Sequence, residues 1–148
     1  MKISFDLDDT LIPGSKVFPV DRQNLLQKML GMESIRCGTI ELFKKLKKRN
    51  HTVGIYTTSF RSVAYIKLLF LLSGYSVSFV INQKRHLKSQ QNIKCSKYPP
   101  AFNIDLHVDD SKGVELEGQR YGFQTMIIEE DQLDWAQQIL TEIDKYCS

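Results

Sequence analysis

The sequence predicts an α/β domain of three layers (α/β/α), in which a Rossmann-like open parallel sheet lies between two layers of helices. Short apolar segments alternate with helical segments along the chain, which is the pattern of β-α-β units. Three of the predicted strands end in polar or acidic side chains, and ligands bind at such strand ends in sheets of this kind. The length of 148 residues fits one domain, spanning residues 1–148.

Five strands are expected from the short apolar segments. The first stops at a cluster of Asp and Thr, as a buried strand does at a polar edge. The predicted strands are residues 2–7, 51–56, 76–82, 105–108 and 123–128.

Helices are expected between and after these strands. Asp21 is the predicted N-cap of the first helix, and Thr58 and Ser59 are the predicted caps of the third, which Gly74 ends. The predicted helices are residues 22–30, a segment opening at 38–39, and residues 60–72, 112–121 and 131–146. Residues 83–100 are expected to be irregular, and residues 17–20 to form a small extended flap.

The bulk properties exclude several classes of protein. A net charge of +3 is well short of a nucleic-acid-binding tail. Three cysteines without a CxxC pair do not suggest a disulfide framework. Acidic residues interrupt the first apolar stretch, and Lys67 and Ser73-Gly74 break the most apolar segment, which argues against a signal peptide and a membrane span. We therefore expect a cytoplasmic protein with no membrane partner.

The polar strand ends predict a metal site. Asp6 and Asp8 follow the first strand, Thr57-Thr58-Ser59 the second, and Asp109-Asp110 the fourth, and a parallel sheet brings such ends to one edge. Carboxylates packed together repel one another, and a hard, oxygen-seeking cation relieves the repulsion. Mg²⁺, held by carboxylates, water and substrate phosphate, is the natural choice.

The same residue types suit phosphoryl transfer. Aspartate is a covalent nucleophile in such reactions and forms an aspartyl-phosphate. Thr hydroxyls and backbone N–H groups would hold the phosphoryl oxygens, and the helix after Thr57-Thr58-Ser59 would point its N-terminus at them.

These segments resemble the motifs of the haloacid dehalogenase superfamily. FDLDDTL (5–11) resembles the first motif, an apolar strand followed by Asp-x-Asp-x-Thr. VGIYT (53–57) resembles the second, and LHVDD (106–110) resembles the fourth, which ends in paired acids. The third motif is a Lys before the fourth strand. Lys97 is our choice, and Lys84, Lys88 and Lys94 compete with it.

The resemblance implies a phosphatase mechanism. Asp6 would attack phosphorus and bind Mg²⁺, and Lys97 would neutralise charge on Asp6 and on the phosphate. Asp8 would protonate the leaving group, then activate water, and its backbone carbonyl would bind the metal. Family members with Asp at this second position are mostly phosphatases or phosphotransferases, which favours hydrolysis of a phosphomonoester.

The resemblance also assigns the binding residues. Thr57 would hydrogen-bond the phosphoryl oxygens, and a similar contact from Thr58 is left open. Asp109 and Asp110 would complete the metal site, with Asp110 favoured as the closer ligand. We expect Asp9 to have a capping or surface role, and His107, which lies between apolar neighbours in a strand, to be a core histidine.

Neither gap between the motifs has room for a full cap domain, so the resemblance is to a small capless phosphatase. An open site favours a macromolecular phosphorylated substrate, or a homo-oligomer whose neighbour closes the site. Two alternatives stay open: a catalytically weak phosphate- or partner-binding module on this fold, and a phosphatase that processes nucleic-acid ends, with the basic segment 84–88 holding the polymer.

Overall fold

A computed structural model describes residues 1–89 and 94–146. The predicted irregular stretch 83–100 therefore lies partly outside the described residues. The strands are β1 (Lys2–Phe5), β2 (Thr52–Tyr56), β3 (Phe79–Ile81), β4 (Leu106–Asp109) and β5 (Thr125–Ile127). The helices are α1 (Leu25–Met29), α2 (Thr39–Lys48), α3 (Val63–Leu72), α4 (Gln83–Ser89), α5 (Lys112–Tyr121) and α6 (Trp135–Tyr146), with a 3₁₀ turn at Pro99–Phe102.

The five strands form one parallel sheet in the order β3-β2-β1-β4-β5. Phe5 of the central strand β1 pairs with Ile55 of β2 on one side and with Val108 of β4 on the other. Helices flank the sheet, with α2 against β2 and α6, α3 against β3, and α5 against β5. The predicted three-layer, Rossmann-like fold is confirmed.

The core explains why these segments become strands and helices. Residues 3–5 of β1 are all buried, as expected for a parallel strand covered on both faces. The ring of Phe43 on α2 lies 4.8 Å from that of Phe5 and 5.7 Å from that of Phe70 on α3, which joins sheet and helices. Gly54 in β2 allows the close approach of Phe79, because a Cβ at Gly54 would lie 2.5 Å from that ring.

Several predicted helix boundaries are wrong. Asn24, rather than Asp21, caps α1, and its side chain and that of Gln27 form a reciprocal capping box. Ser62, rather than Thr58 or Ser59, caps α3, which begins three residues later than expected. In both helices the residue directly before the first apolar turn supplies the cap, because its side chain can reach the free N–H groups.

Two predicted segments have a different structure. Gln83–Ser89, expected to be irregular, forms helix α4, whose only fully buried side chain is His86. The expected flap at residues 17–20 contains no strand, and only Val20 bridges to Arg36. The guanidinium of Arg36 is buried against the rings of Phe18 and Trp135 and donates to the carbonyl of Glu129, so side-chain contacts fix this loop.

Candidate active site

The candidate site lies where the strand order reverses. β1 and β4 are adjacent although most of the chain separates them, and a crevice forms at the carboxyl ends of such strands. Asp6 directly follows β1, and its N–H donates to the carbonyl of Val108. Asp109 is the last residue of β4. The sheet therefore places the two carboxylates side by side.

Lys97 joins the two carboxylates. Its Nζ lies 2.7 Å from Oδ1 of Asp6 and 2.5 Å from Oδ2 of Asp109. The side chains of Lys97 and Asp109 are 3% and 1% exposed, so water does not screen this pairing. The buried Oδ1 of Asp6 therefore has the ammonium of Lys97 as its partner. Of the lysines considered for the third motif, Lys97 is the one that the structure brings to Asp6.

The two carboxylates have opposite pKa shifts. Burial raises the pKa of Asp6 to about 6, with Lys97 opposing this shift and Asp109 adding to it. Burial also disfavours ionisation of Asp109, but the hydrogen bond from His107 and the charge of Lys97 outweigh it and hold the pKa of Asp109 below its usual range. Asp109 is therefore the member of the pair that stays ionised, and Asp6 is the one that is more easily protonated.

His107 orients Asp109 from inside the sheet. Its Nε2 lies 2.9 Å from Oδ2 of Asp109, and its Nδ1 lies 2.8 Å from Oγ of Ser4. Burial lowers the pKa of His107, so the ring is neutral. The Nε2–H then donates to Asp109 and Nδ1 accepts from Ser4. His107 is a satisfied core histidine, as expected, and it also contacts a site residue.

Asp110 lies beside this pair. Thr10 Oγ1 donates to Oδ1 of Asp110 at 3.1 Å and lies 3.5 Å from Oδ2 of Asp6. Lys16, from the loop after β1, lies 2.8 Å from Oδ2 of Asp110. Asp9 keeps that loop in place by accepting from the N–H groups of Gly14 and Lys16, which is a capping role of the kind expected for it.

Three carboxylates converge in a way that suits a cation. One oxygen each from Asp6, Asp109 and Asp110 lies within 4.8 Å of the others. The ammonium groups of Lys97 and Lys16 lie beside these carboxylates. This all-oxygen donor set fits a hard divalent ion such as Mg²⁺.

The other predicted residues are placed differently. Thr57 is buried directly after β2, and its Oγ1 accepts from the N–H of Ser59, whereas Thr58 is exposed. Because α3 begins only at Val63, a loop separates its N-terminus from Thr57, contrary to the expected arrangement. The side-chain carboxylate of Asp8 forms an ion pair with Arg61. The metal contact expected of Asp8 involves its backbone carbonyl instead.

Some residues near the site were not predicted. Arg61 contacts both Asp8 and Glu33, and Lys16 contacts Asp110. Each lies in a segment without regular structure, where no periodicity indicates what a side chain faces. The one available signal was that Arg61 lies close to a polar strand end.

A buried tyrosine supports the Lys97 segment. The hydroxyl of Tyr56, the last residue of β2, lies 2.5 Å from Nδ1 of His86 and accepts from the N–H of Tyr98 at 2.8 Å. Tyr98 follows Lys97 directly, so this contact fixes the backbone from which the ammonium projects.

No described helix combines the length and the hydrophobicity needed to cross a bilayer. Comparisons of the chain with protein-family models, with curated proteins and with solved structures found no match. The site geometry must therefore carry the functional conclusion.

Proposed function

We propose that this protein is a Mg²⁺-dependent phosphohydrolase of the haloacid dehalogenase type that acts on a phosphomonoester through an aspartyl-phosphate on Asp6. The observation that carries the proposal is the bridge from Lys97 to Asp6 and Asp109, beside Asp110, at the carboxyl ends of adjacent strands. Phosphoryl transfer needs a cation beside the phosphoryl oxygens and carboxylates that bind the metal. A buried lysine between two carboxylates, with a third acid nearby, supplies both.

Asp6 has the properties of the nucleophile. With a pKa of about 6 it is mostly ionised at neutral pH, and Lys97 and Thr10 lie beside its two oxygens. An Asp6 oxygen bonds to phosphorus while the bond from phosphorus to the leaving oxygen breaks. Asp8 donates a proton to that oxygen.

Hydrolysis of the aspartyl-phosphate completes the cycle. Asp8, now ionised, takes a proton from a water molecule whose oxygen bonds to phosphorus. The bond between phosphorus and Asp6 then breaks, which releases phosphate and restores the carboxylate. Thr57, Thr58 and Lys97 would hold the phosphoryl oxygens through these steps.

The residues that would hold Mg²⁺ are Asp6, Asp110 and the backbone carbonyl of Asp8, with Asp109 adjoining. Bound Mg²⁺ would neutralise negative charge on the phosphoryl group. Asp109 has both oxygens engaged, one by Lys97 and His107 and the other by the N–H of Ser111. Thr10 and Lys16 also engage the oxygens of Asp110, but its side chain is 14% exposed against 1% for Asp109. We therefore assign Asp110 the direct contact and give Asp109 the task of holding Lys97.

The segment after β1 holds no full cap domain. Residues 12–36, where a cap would be inserted, contain only the five-residue helix α1. The lack of a full cap in this segment supports a macromolecular phosphorylated substrate, or a homo-oligomer in which a neighbouring copy closes the site. A cytoplasmic location is part of the same proposal.

The test is hydrolysis of 4-nitrophenyl phosphate with and without Mg²⁺, by the wild type, by Asp6→Asn and by Asp144→Asn. Asp144 pairs with Arg49 on the surface and is the matched control for removing one carboxylate. We expect Mg²⁺-dependent turnover in the wild type and the control only. Rapid acid quenching should leave one phosphoryl group on Asp6, detected by peptide mass spectrometry.

Other outcomes identify the alternatives. Turnover that survives Asp6→Asn contradicts the proposal. No turnover, with phosphate binding retained, supports a phosphate- or partner-binding module. A strong, salt-dependent preference for 3′- or 5′-phosphorylated oligonucleotides over free nucleotides supports a nucleic-acid end-processing phosphatase.

A further inference from the structure

Arg61 lies at the centre of a polar cluster, the Arg61 clamp, formed by Asp8, Glu33, Ser59, Arg61 and Tyr65. Arg61 belongs to the loop between β2 and α3, and Glu33 belongs to the segment between α1 and α2. The guanidinium therefore connects three separate parts of the chain beside the candidate site.

Each N–H group of Arg61 has an acceptor. Nε donates to Oε2 of Glu33 at 2.8 Å, and Nη2 donates to Oε1 at 2.6 Å. Nη1 donates to Oδ2 of Asp8 at 2.9 Å and to Oγ of Ser59 at 2.8 Å. Nη2 also lies 2.9 Å from Oδ1 of Asp8. The planar guanidinium thus donates four hydrogen bonds and makes a further ion-pair contact, which fixes its orientation.

Glu33 is itself held in place. The hydroxyl of Tyr65 donates to Oε2 of Glu33 at 3.1 Å, the same oxygen that Nε of Arg61 reaches. Arg61 is consequently supported on one side by Glu33 and Tyr65, while its other side faces Asp8. Because Glu33 and Tyr65 hold Arg61, the folded chain sets the direction from which Arg61 contacts Asp8.

The charges argue against a role for Arg61 in binding the substrate phosphate. The carboxyl groups of Asp8 and Glu33 already surround this single cation, so the clamp has no net positive charge whether Asp8 is protonated or ionised. A further anion would compete with both. Asp8, in contrast, is contacted through both of its oxygens by one rigid group, which determines where its carboxylate lies.

We propose that Arg61 is a positioning residue that fixes the side chain of Asp8 for its proton transfers, with Glu33 and Tyr65 holding Arg61 in turn. This inference rests on the proposed function, in which Asp8 is the acid and base. Proton transfer depends on the placement of the donor to within a fraction of an ångström, so loss of the clamp reduces the chemical step more than substrate binding.

The test compares two substrates that differ in their need for an acid. Phenyl phosphate has a poor leaving group that requires protonation, whereas 4-nitrophenyl phosphate has a good one. For Arg61→Met we expect kcat with phenyl phosphate to fall by about 10- to 100-fold, with a smaller loss for 4-nitrophenyl phosphate and KM within about threefold of the wild type. Asp8→Asn should show the same dependence on leaving group.

Further variants separate positioning from a general structural effect. Arg61→Lys keeps the charge but loses the planar set of donors, so an intermediate loss is expected. The double variant Arg61→Met/Asp8→Asn should be no slower than Asp8→Asn alone, because both changes disable the same group. Arg49→Met, which removes a surface arginine paired with Asp144, should leave both rates unchanged.

A second measurement does not depend on turnover. Unfolding of the wild type, Asp8→Asn, Arg61→Met and the double variant in denaturant should give non-additive midpoints, as expected for residues in direct contact. Additive midpoints would overturn the inference.

Kinetic outcomes can also overturn it. Equal losses for both substrates, a raised KM with unchanged kcat, or no loss at all would each exclude a positioning role while leaving the proposed function intact. Absence of Asp6-dependent turnover in the wild type would refute the proposed function, and this inference with it.

Discussion

The ammonium of Lys97 lies 2.7 Å from Oδ1 of Asp6, and both side chains are almost fully buried. The same nitrogen contacts Asp109, so one cation serves two carboxylates. Removing the ammonium leaves two carboxylates without their cation in a place that water does not reach.

Lys97→Met should be strongly destabilising in the absence of Mg²⁺. The variant leaves Asp6 and Asp109 close together without their cation, and breaking a buried pair in this way costs about 3–5 kcal/mol of unfolding free energy. Urea unfolding of the wild type and Lys97→Met measures the difference. Lys94→Met, at an exposed lysine nearby in sequence, is the matched control and should unfold like the wild type. A Lys97→Met protein as stable as the control would contradict the buried bridge.

The raised pKa of Asp6 should appear in the pH dependence of stability. Burial moves this pKa from 3.8 to about 6, so the folded state prefers the protonated carboxyl. The contribution is fully present below pH 3.8 and is lost as the pH rises through about 6, by up to about 3 kcal/mol. The stability of Asp6→Asn relative to the wild type should therefore increase between pH 4 and pH 7 without metal. A constant difference across this range would show that the pKa is not raised.

Mg²⁺ should raise the melting temperature, because a ligand that binds only the folded state stabilises it. The increase should be larger above pH 6 than below, since the metal competes with the proton on Asp6. Asp6→Asn and Asp110→Asn should lose most of it. A melting temperature unmoved by millimolar Mg²⁺ would count against the site.

Lys16→Met tests the assignment of Asp110 as a direct ligand. Lys16 pairs with Oδ2 of Asp110 and so competes with any cation for that oxygen. Its removal should enlarge the stabilisation by Mg²⁺ in a thermal titration. Lys112→Met, at an exposed lysine two residues beyond Asp110, should not change the response. A weakened response in Lys16→Met would exclude the competition.

Tyr56→Phe should affect both stability and the placement of Lys97. The change removes the hydroxyl that contacts His86 and accepts from the N–H of Tyr98, and losing a buried hydrogen-bond partner costs about 1–3 kcal/mol. Hydrogen exchange at Tyr98 should speed up relative to amides in α6. Unchanged exchange would show that the hydroxyl does not restrain this segment.

The sequence predicted the fold well because the sheet depends on features that are local. Apolar segments such as residues 53–56 stand out from their polar neighbours, and α5 was predicted with its observed ends. The strand-end acids could be identified for the same reason. The carboxyl ends of parallel strands share one edge, so Asp6 and Asp109 could be brought together before any coordinates.

The missed features depend on tertiary contacts. Ser62 caps α3 although Thr58 and Ser59 are equally good capping residues, and only the path of the loop decides between them. The contacts of Arg61 with Glu33 and of Lys16 with Asp110 join loops that have no periodicity. Lys97 was selected through the family resemblance rather than from the residues alone. Pairings of this kind follow from the fold and cannot be obtained from local pattern.

The central position of β1 has a consequence for synthesis on the ribosome. β1 pairs with β2, the next strand along the chain, but its other neighbour, β4, ends only at Asp109. Until then one edge of β1 stays open, and an unpaired strand edge invites association with other chains. Lys97 and Asp109 can reach Asp6 only after more than ninety further residues have been made. A nascent chain halted before β4 therefore has Asp6 but lacks the rest of the candidate site, and it exposes an open strand edge.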